Sequence, residues 1–225
     1  MFKTGNSLID LFSQILVFLP LLPVSIILFR KIYGEEALNY LLILCLLNFC
    51  QYLVLDILPL PEKFQPSVAH LFSLIEFVFL VQVFKSSMNR SYREYINFVA
   101  IGLVSAITTY YLVSGISRPL VLPGLLQHVI IIMLATYCLI TAIRNDNLQI
   151  FYDPLFWIAT GTLFYFMTIV LLEILGECCA SLRASLDADK MLMTNIALLA
   201  RYFFYSLAAL MDIKKDGSEN KESSD

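Results

Sequence analysis

Charge is scarce in this chain. Of its 225 residues only 15% are Asp, Glu, Lys or Arg, two are histidine and one is tryptophan. With 59% hydrophobic residues and a mean hydropathy of +0.78, that scarcity excludes an ordinary soluble globular protein and points to the membrane class. Two histidines cannot supply a three-histidine hydrolase site. The five cysteines make neither a disulfide framework nor a metal cluster: Cys45, Cys50 and Cys138 fall inside apolar runs, and the adjacent Cys178 and Cys179 have no second Cys or His pair at ligand spacing nearby. Gly-x-Ser-x-Gly, His-Glu-x-x-His, a phosphate-binding glycine loop and Cys-x-x-Cys are all missing. A retinal-type Schiff base would need a lysine deep in the last apolar run, whereas Lys190 stands at its entrance. No enzyme activity, cofactor, metal or nucleic-acid partner is therefore expected. The first apolar run is a full span with no small-residue cleavage site after it, so no cleavable signal peptide is expected either.

What the chain does have is long apolar runs. Seven stretches bounded by charge, Pro or Gly read as spans: Leu8–Phe29, Ala37–Leu58, Ser67–Phe84, Asn97–Ser114, Pro123–Ile143, Leu155–Leu175 and Met191–Met211. Each is long enough to cross roughly 30 Å of hydrocarbon at 1.5 Å per residue. The fold expected is all-α, a seven-helix bundle embedded in the lipid bilayer. Residues 1–212 form the transmembrane domain, and 213–225 a short tail too polar and charged to fold.

Lys and Arg orient the bundle. Arg30, Lys31, Lys85, Arg90, Arg93, Arg144, Lys214, Lys215 and Lys221 fall on one side, against Lys3, Lys63, Arg118, Arg183 and Lys190 on the other, with Arg201 inside a span. The positive-inside rule then places the amino terminus outside and the tail in the cytoplasm of a multi-pass inner (plasma) membrane protein. Trp157, Tyr152 and Tyr92 lie at the cytoplasmic ends, where an aromatic belt is expected.

Polar residues inside the spans recur at helical spacing. Thr194, Ala197, Arg201, Tyr205 and Ala208 form one stripe of the last span, and Leu192, Ile196, Leu199, Phe203 and Leu210 occupy the opposite face. The second span carries Cys45, Asn48, Gln51, Tyr52 and Asp56, and the third His70, Ser73 and Glu76. Glu76 and Arg201 lie nine and ten residues from the outer ends of their spans, about 14–15 Å deep, and Asn48 reaches nearly the same level. A charge at the bilayer centre costs roughly 2.5–3.5 kcal/mol on insertion scales, so these residues should face inward and pair. A midplane cluster of Glu76, Arg201 and Asn48 is expected, with Gln51 and Tyr205 as further partners. Its plain alternative is a structural ion pair that only fixes helix order.

A second group, Asp10, Gln14, Asp56, His70, Gln127, His128, Glu173 and Glu177, falls toward the outer ends and would line an outward-facing pocket. Asp10 also completes a Ser7-x-x-Asp10 capping pattern, the preferred reading there. Asp56, His70 and Glu177 read more simply as wetted span ends, whereas His128 and Glu173 lie deeper and are the better candidates for a ligand site. Pro20 and Pro23 should bend the first span, while Pro123 and Pro154 should start the fifth and sixth. A matching interrupted helix in the fifth span, and any internal repeat, are missing, which argues against a transporter built from paired repeats.

Two segments, His70-LFSLIEFVFL-Val81 and Asp153-PLFWIATGTLFYF-Met167, resemble recurring stretches of small, uncharacterised seven-helix bacterial membrane proteins, some encoded beside two-component signalling genes. The resemblance implies Glu76 and the Asp153-Pro154 helix start as family features, and a sensory role, with no catalytic residue to carry over. The function expected is a receptor-like module that binds a small ligand in its outer half and acts through a membrane signalling partner. A small-solute or proton-coupled transporter and a lipid-modifying membrane enzyme are the alternatives.

Overall fold

The computed structural model describes residues 14–32, 35–57, 61, 64–88, 90–114, 121–145, 150–178 and 183–211. Asp10, Cys179 and the tail from 212 lie outside the described residues, as do the side chains of Asp56, Glu177 and Cys178. Seven α-helices and no strand occur among the described residues: α1 (Leu21–Arg30), α2 (Glu36–Tyr52), α3 (Gln65–Lys85), α4 (Arg90–Ser114), α5 (Val121–Asn145), α6 (Pro154–Cys178) and α7 (Arg183–Leu210). At its far end α2 widens into a π turn over Leu53–Ile57.

Local chemistry accounts for several of the boundaries. Before α1, residues 17–20 form turns in which Phe18, Leu19, Leu21 and Leu22 donate to carbonyls three residues back, not four. Neither Pro20 nor Pro23 has an N–H to give, so the α ladder is interrupted where those prolines predict a departure from it. Pro154 is the first residue of α6, and Asp153 Oδ1 accepts the Leu155 N–H at 2.9 Å, an N-cap of ordinary design. Helix α5 begins at Val121, two residues before the expected Pro123; in a first turn no donor is required of the proline.

Two arginines close helix C-termini. Arg30 Nη1 donates to the carbonyls of Ala209 and Leu210 at the end of α7. Arg93 donates from Nε to Met88 O (2.8 Å) and from Nη2 to Ser86 O (2.6 Å) just beyond α3. Each thereby satisfies carbonyls that the helix leaves open and meets the negative end of its dipole.

Helix packing closes a ring. The contacts between α6 and α7 and between α5 and α6 are the most extensive, α2 lies along α3, α1 packs on both α2 and α7, and α3 meets α5. Six helices thus run around the ring in the order α1, α2, α3, α5, α6, α7, with α4 applied to the outside of α3. The interior is filled by residues such as Leu41, Leu44, Phe77, Leu80, Ile131, Ile158 and Tyr205. Large apolar side chains also point outward, among them Phe29, Phe98, Val113 and Met133. In water such a surface would aggregate.

Five helical stretches are both long and apolar enough to cross a membrane: Glu36–Leu55, Gln65–Lys85, Pro123–Arg144, Pro154–Gly176 and Asp189–Leu210. The molecule is an all-helical membrane protein. The other two sequence-derived spans are not among these five. Of the expected span Leu8–Phe29 only the part from Gln14 lies within the described residues, as the apolar helix Gln14–Arg30, while α4 carries Asn97, Ser105, Thr108 and Thr109 among its apolar residues.

Candidate functional site

The polar stripe of α7 faces the ring. Ala197, Arg201, Tyr205 and Ala208 are buried and Thr194 half-buried, whereas Leu192, Ile196, Leu199, Phe203 and Leu210 are exposed. Helical period alone produces this division, since steps of three and four return to one side of the cylinder.

Arg201 is 1% exposed. Its Nη2 lies 2.6 Å from Glu76 Oε1 on α3, so the pair expected from equal depth is made across the ring. The contact is a short ion pair whose N–H and oxygen are not aligned as a hydrogen bond. Arg201 Nε donates to the Tyr205 hydroxyl one turn along α7 (2.9 Å), and that hydroxyl shares a hydrogen bond with Thr162 Oγ1 on α6 (2.8 Å). Four rings surround the guanidinium, with centroids at 4.8 Å (Tyr165), 5.2 Å (Tyr205), 5.4 Å (Phe166) and 5.9 Å (Tyr202). Burying an ion costs several kcal/mol. The carboxylate, the phenol and ring faces worth about 0.5–2 kcal/mol each offset it.

Asn48 belongs to this cluster indirectly: its Nδ2 donates to the Tyr202 hydroxyl (3.1 Å), and neither Glu76 nor Arg201 is its hydrogen-bond partner. Gln51, expected as a further partner, is half-buried on α2 and hydrogen-bonds to neither. The physical reason is angular. Gln51 lies three residues beyond Asn48, a rotation of some 60° short of a full turn, which moves it off the face that α2 turns inward.

The end of the ring where α3 and α5 begin and α6 finishes holds a second set. His128 Nδ1 on α5 stands 3.7 Å from Glu173 Oε2 on α6, the two residues the sequence marks as the better ligand-site candidates. Ser73 Oγ donates to Gln127 Oε1 across α3 and α5 (3.3 Å). His70 Nδ1 meets the Tyr111 hydroxyl of α4 at 3.0 Å. Gln14 is exposed. Buried Gln127 Nε2, His128 Nδ1, Glu173 Oε2 and Asn48 Oδ1 have no hydrogen-bond partner among the described residues. Such atoms cost about 1–3 kcal/mol each if left dry, so they mark where a polar guest would be welcome.

Phe166 joins the two sets. It is buried, with its ring 5.1 Å from that of His128 on one side and 5.4 Å from the Arg201 guanidinium on the other. Sequence reasoning missed Phe166, Thr162, Tyr165 and Tyr202. A signal existed only for part of them: Thr162, Tyr165 and Phe166 recur at steps of three and one along α6, but an aromatic in a span reads equally well as lipid-facing.

No group of three or more His, Cys, Asp and Glu side chains suited to a metal ion occurs among the described residues. At the opposite end of the bundle, burial and then the negative charge of Asp153 raise the Glu35 carboxyl above its ordinary range. The chain matches no protein-family model, and neither curated proteins nor solved structures provide a match.

Proposed function

We propose that this protein is a multi-pass receptor-like module of a bacterial inner (plasma) membrane. In this reading all seven helices cross the bilayer, the amino terminus lies outside and the tail in the cytoplasm. A small polar ligand binds in the outer half of the ring, between α3, α5 and α6, and no reaction is catalysed. The observation that carries the reading is a set of buried polar atoms without a hydrogen bond: Gln127 Nε2, and the His128 Nδ1 and Glu173 Oε2 that face each other at 3.7 Å, too far apart for a hydrogen bond, across neighbouring helices. A guest bridging them would press on Phe166 and through it on Arg201, giving the ligand a mechanical route to the midplane pair. In this reading a membrane signalling partner would read the change. The resemblance of residues 70–81 and 153–167 to seven-helix bacterial proteins supports this choice.

Thermal unfolding of the protein in lipid nanodiscs, run against a panel of amino acids, organic acids and sugars, tests the proposal. A true ligand at about 100 times its Kd should stabilise by roughly 2.7 kcal/mol. The Gln127→Leu, Glu173→Gln double variant should lose that shift while remaining folded. If no solute shifts the wild-type protein, the receptor reading fails. A transporter is the second reading, favoured by the interrupted helix at 17–20 leading into α1, which packs against the Arg201-bearing α7. Solute uptake into proteoliposomes that depends on Arg201 would select it.

Topology has its own check. Seven crossings require opposite sides for the two termini, so a cytoplasm-active reporter fused after residue 225 should work and a periplasm-active one should not. The reverse result would remove the proposed orientation.

A further inference from the structure

Between α3 and the outlying α4 runs a groove of about 310 Å³ lined by Val78, Val81, Ile101, Val104 and, at one end, Gln82, Lys85 and Asn97. From Val78 to Lys85 is seven residues, or about 10 Å along the helix axis. Apart from Ser105, eight residues along α4 from Asn97, its long walls are aliphatic, and it opens on the flank of the ring where lipid would lie.

The polar end has a fixed hydrogen-bond direction. Lys85 Nζ donates to Gln82 Oε1 (3.3 Å), because an ammonium can only donate. Gln82 must therefore turn its Nε2 the other way, and it donates to Asn97 Oδ1 (3.5 Å). That in turn leaves the Asn97 amide N–H₂ directed onward. The relay uses up acceptors and ends in donors: the remaining ammonium hydrogens of Lys85 and the amide of Asn97. No carboxylate lies within salt-bridge distance of Lys85 among the described residues. A half-buried cation with spare donors and no carboxylate beside it, at the mouth of an aliphatic groove, is complementary to one kind of occupant.

We propose that this groove seats an anionic glycerophospholipid, its phosphate on Lys85 and Asn97 and one acyl chain along Val78, Val81, Ile101 and Val104. The site is separate from the Gln127, His128 and Glu173 group and does not depend on the receptor reading. Its position also explains how α4 stays on the outside of the ring: a lipid bridging α3 and α4 adds contact to a helix that packs mainly on one neighbour.

Native mass spectrometry of the full chain released from nanodiscs of phosphatidylcholine mixed with phosphatidylglycerol tests this. One phosphatidylglycerol per chain should be retained in preference to phosphatidylcholine. The Lys85→Met, Asn97→Leu variant should retain it at least tenfold less. The single variant Ile101→Trp, which fills the chain-binding part and leaves the polar end intact, should do the same. Arg144→Ala removes a cation from the same end of the bundle, away from the groove, and should leave retention unchanged. Equal retention of the two lipids, wild-type retention in Ile101→Trp, or a loss as large in Arg144→Ala would each overturn the proposal. Inorganic phosphate at millimolar concentration should not displace the lipid; displacement would mean that the headgroup pocket acts alone and would overturn the acyl seat.

Discussion

Arg201→Met should destabilise the protein by about 3–5 kcal/mol, the usual consequence of leaving one member of a buried ion pair without the other. Glu76 is then a carboxylate with its side chain 15% exposed and no counter-charge, and it must take up a proton or draw in water. Methionine keeps most of the volume inside the box of Tyr165, Phe166, Tyr202 and Tyr205, so the loss measures charge more than cavity. Adding Glu76→Gln should recover most of it, because both ions are then gone and their desolvation with them. Unfolding of single and double variants in detergent gives the coupling directly. Simple additivity of the two losses would show that the pair contributes nothing as a pair. A double variant that regains stability and also keeps its ligand response would assign the pair to architecture, and one that regains stability without the response would assign it to signalling.

Gly161→Ala is expected to have the next largest effect, in a direction opposite to helix propensity. A methyl group there would lie 2.8 Å from Phe204 Cβ and 3.1 Å from the Arg201 carbonyl oxygen. Both atoms are fixed to the backbone of α7, so relief requires α6 and α7 to move apart at the level of the ion pair. Overpacking of this kind costs typically 1–3 kcal/mol. Alanine recovers about 0.8–1 kcal/mol of propensity relative to glycine, so the net change should still be a loss, and Gly161→Val should lose more. Gly102→Ala provides the contrast: it stands mid-helix in α4 with nothing within 4 Å of the added carbon, and should be neutral or stabilising. Trp157 is the single tryptophan and stacks on Phe204 (5.8 Å, 17°) at the same interface. Its emission should shift in Gly161→Ala and stay constant in Gly102→Ala. An unchanged unfolding midpoint and spectrum in Gly161→Ala would mean that the two helices are not held at this separation.

The ion pair and the glycine were unequally visible before the fold was known. Glu76 and Arg201 stand out in a string of apolar residues, and counting at 1.5 Å per residue puts them at one depth; the cost of an unpaired charge in hydrocarbon does the rest. The inward stripe of α7 and the Asp153-Pro154 start of α6 were legible for equally local reasons, since period and capping depend only on neighbours along one helix. His128 and Glu173 were legible as a depth but not as a pair.

What could not be read was which helix sits beside which. In a membrane an apolar side chain facing lipid and one facing another helix look the same in sequence, because no hydrophobic difference separates the two surroundings. Hence the outlying position of α4, the choice of Tyr202 as the partner of Asn48, the exclusion of Gln51 and the place of Phe166 between two polar pairs all waited for the packing. Composition and spacing were enough for the membrane class, the helical class and one buried ion pair. The closed ring, the close approach at Gly161 and the meeting of Gln127, His128 and Glu173 without hydrogen bonds between them arise from contacts between helices far apart in the chain, which shape and rotation govern and hydropathy does not record.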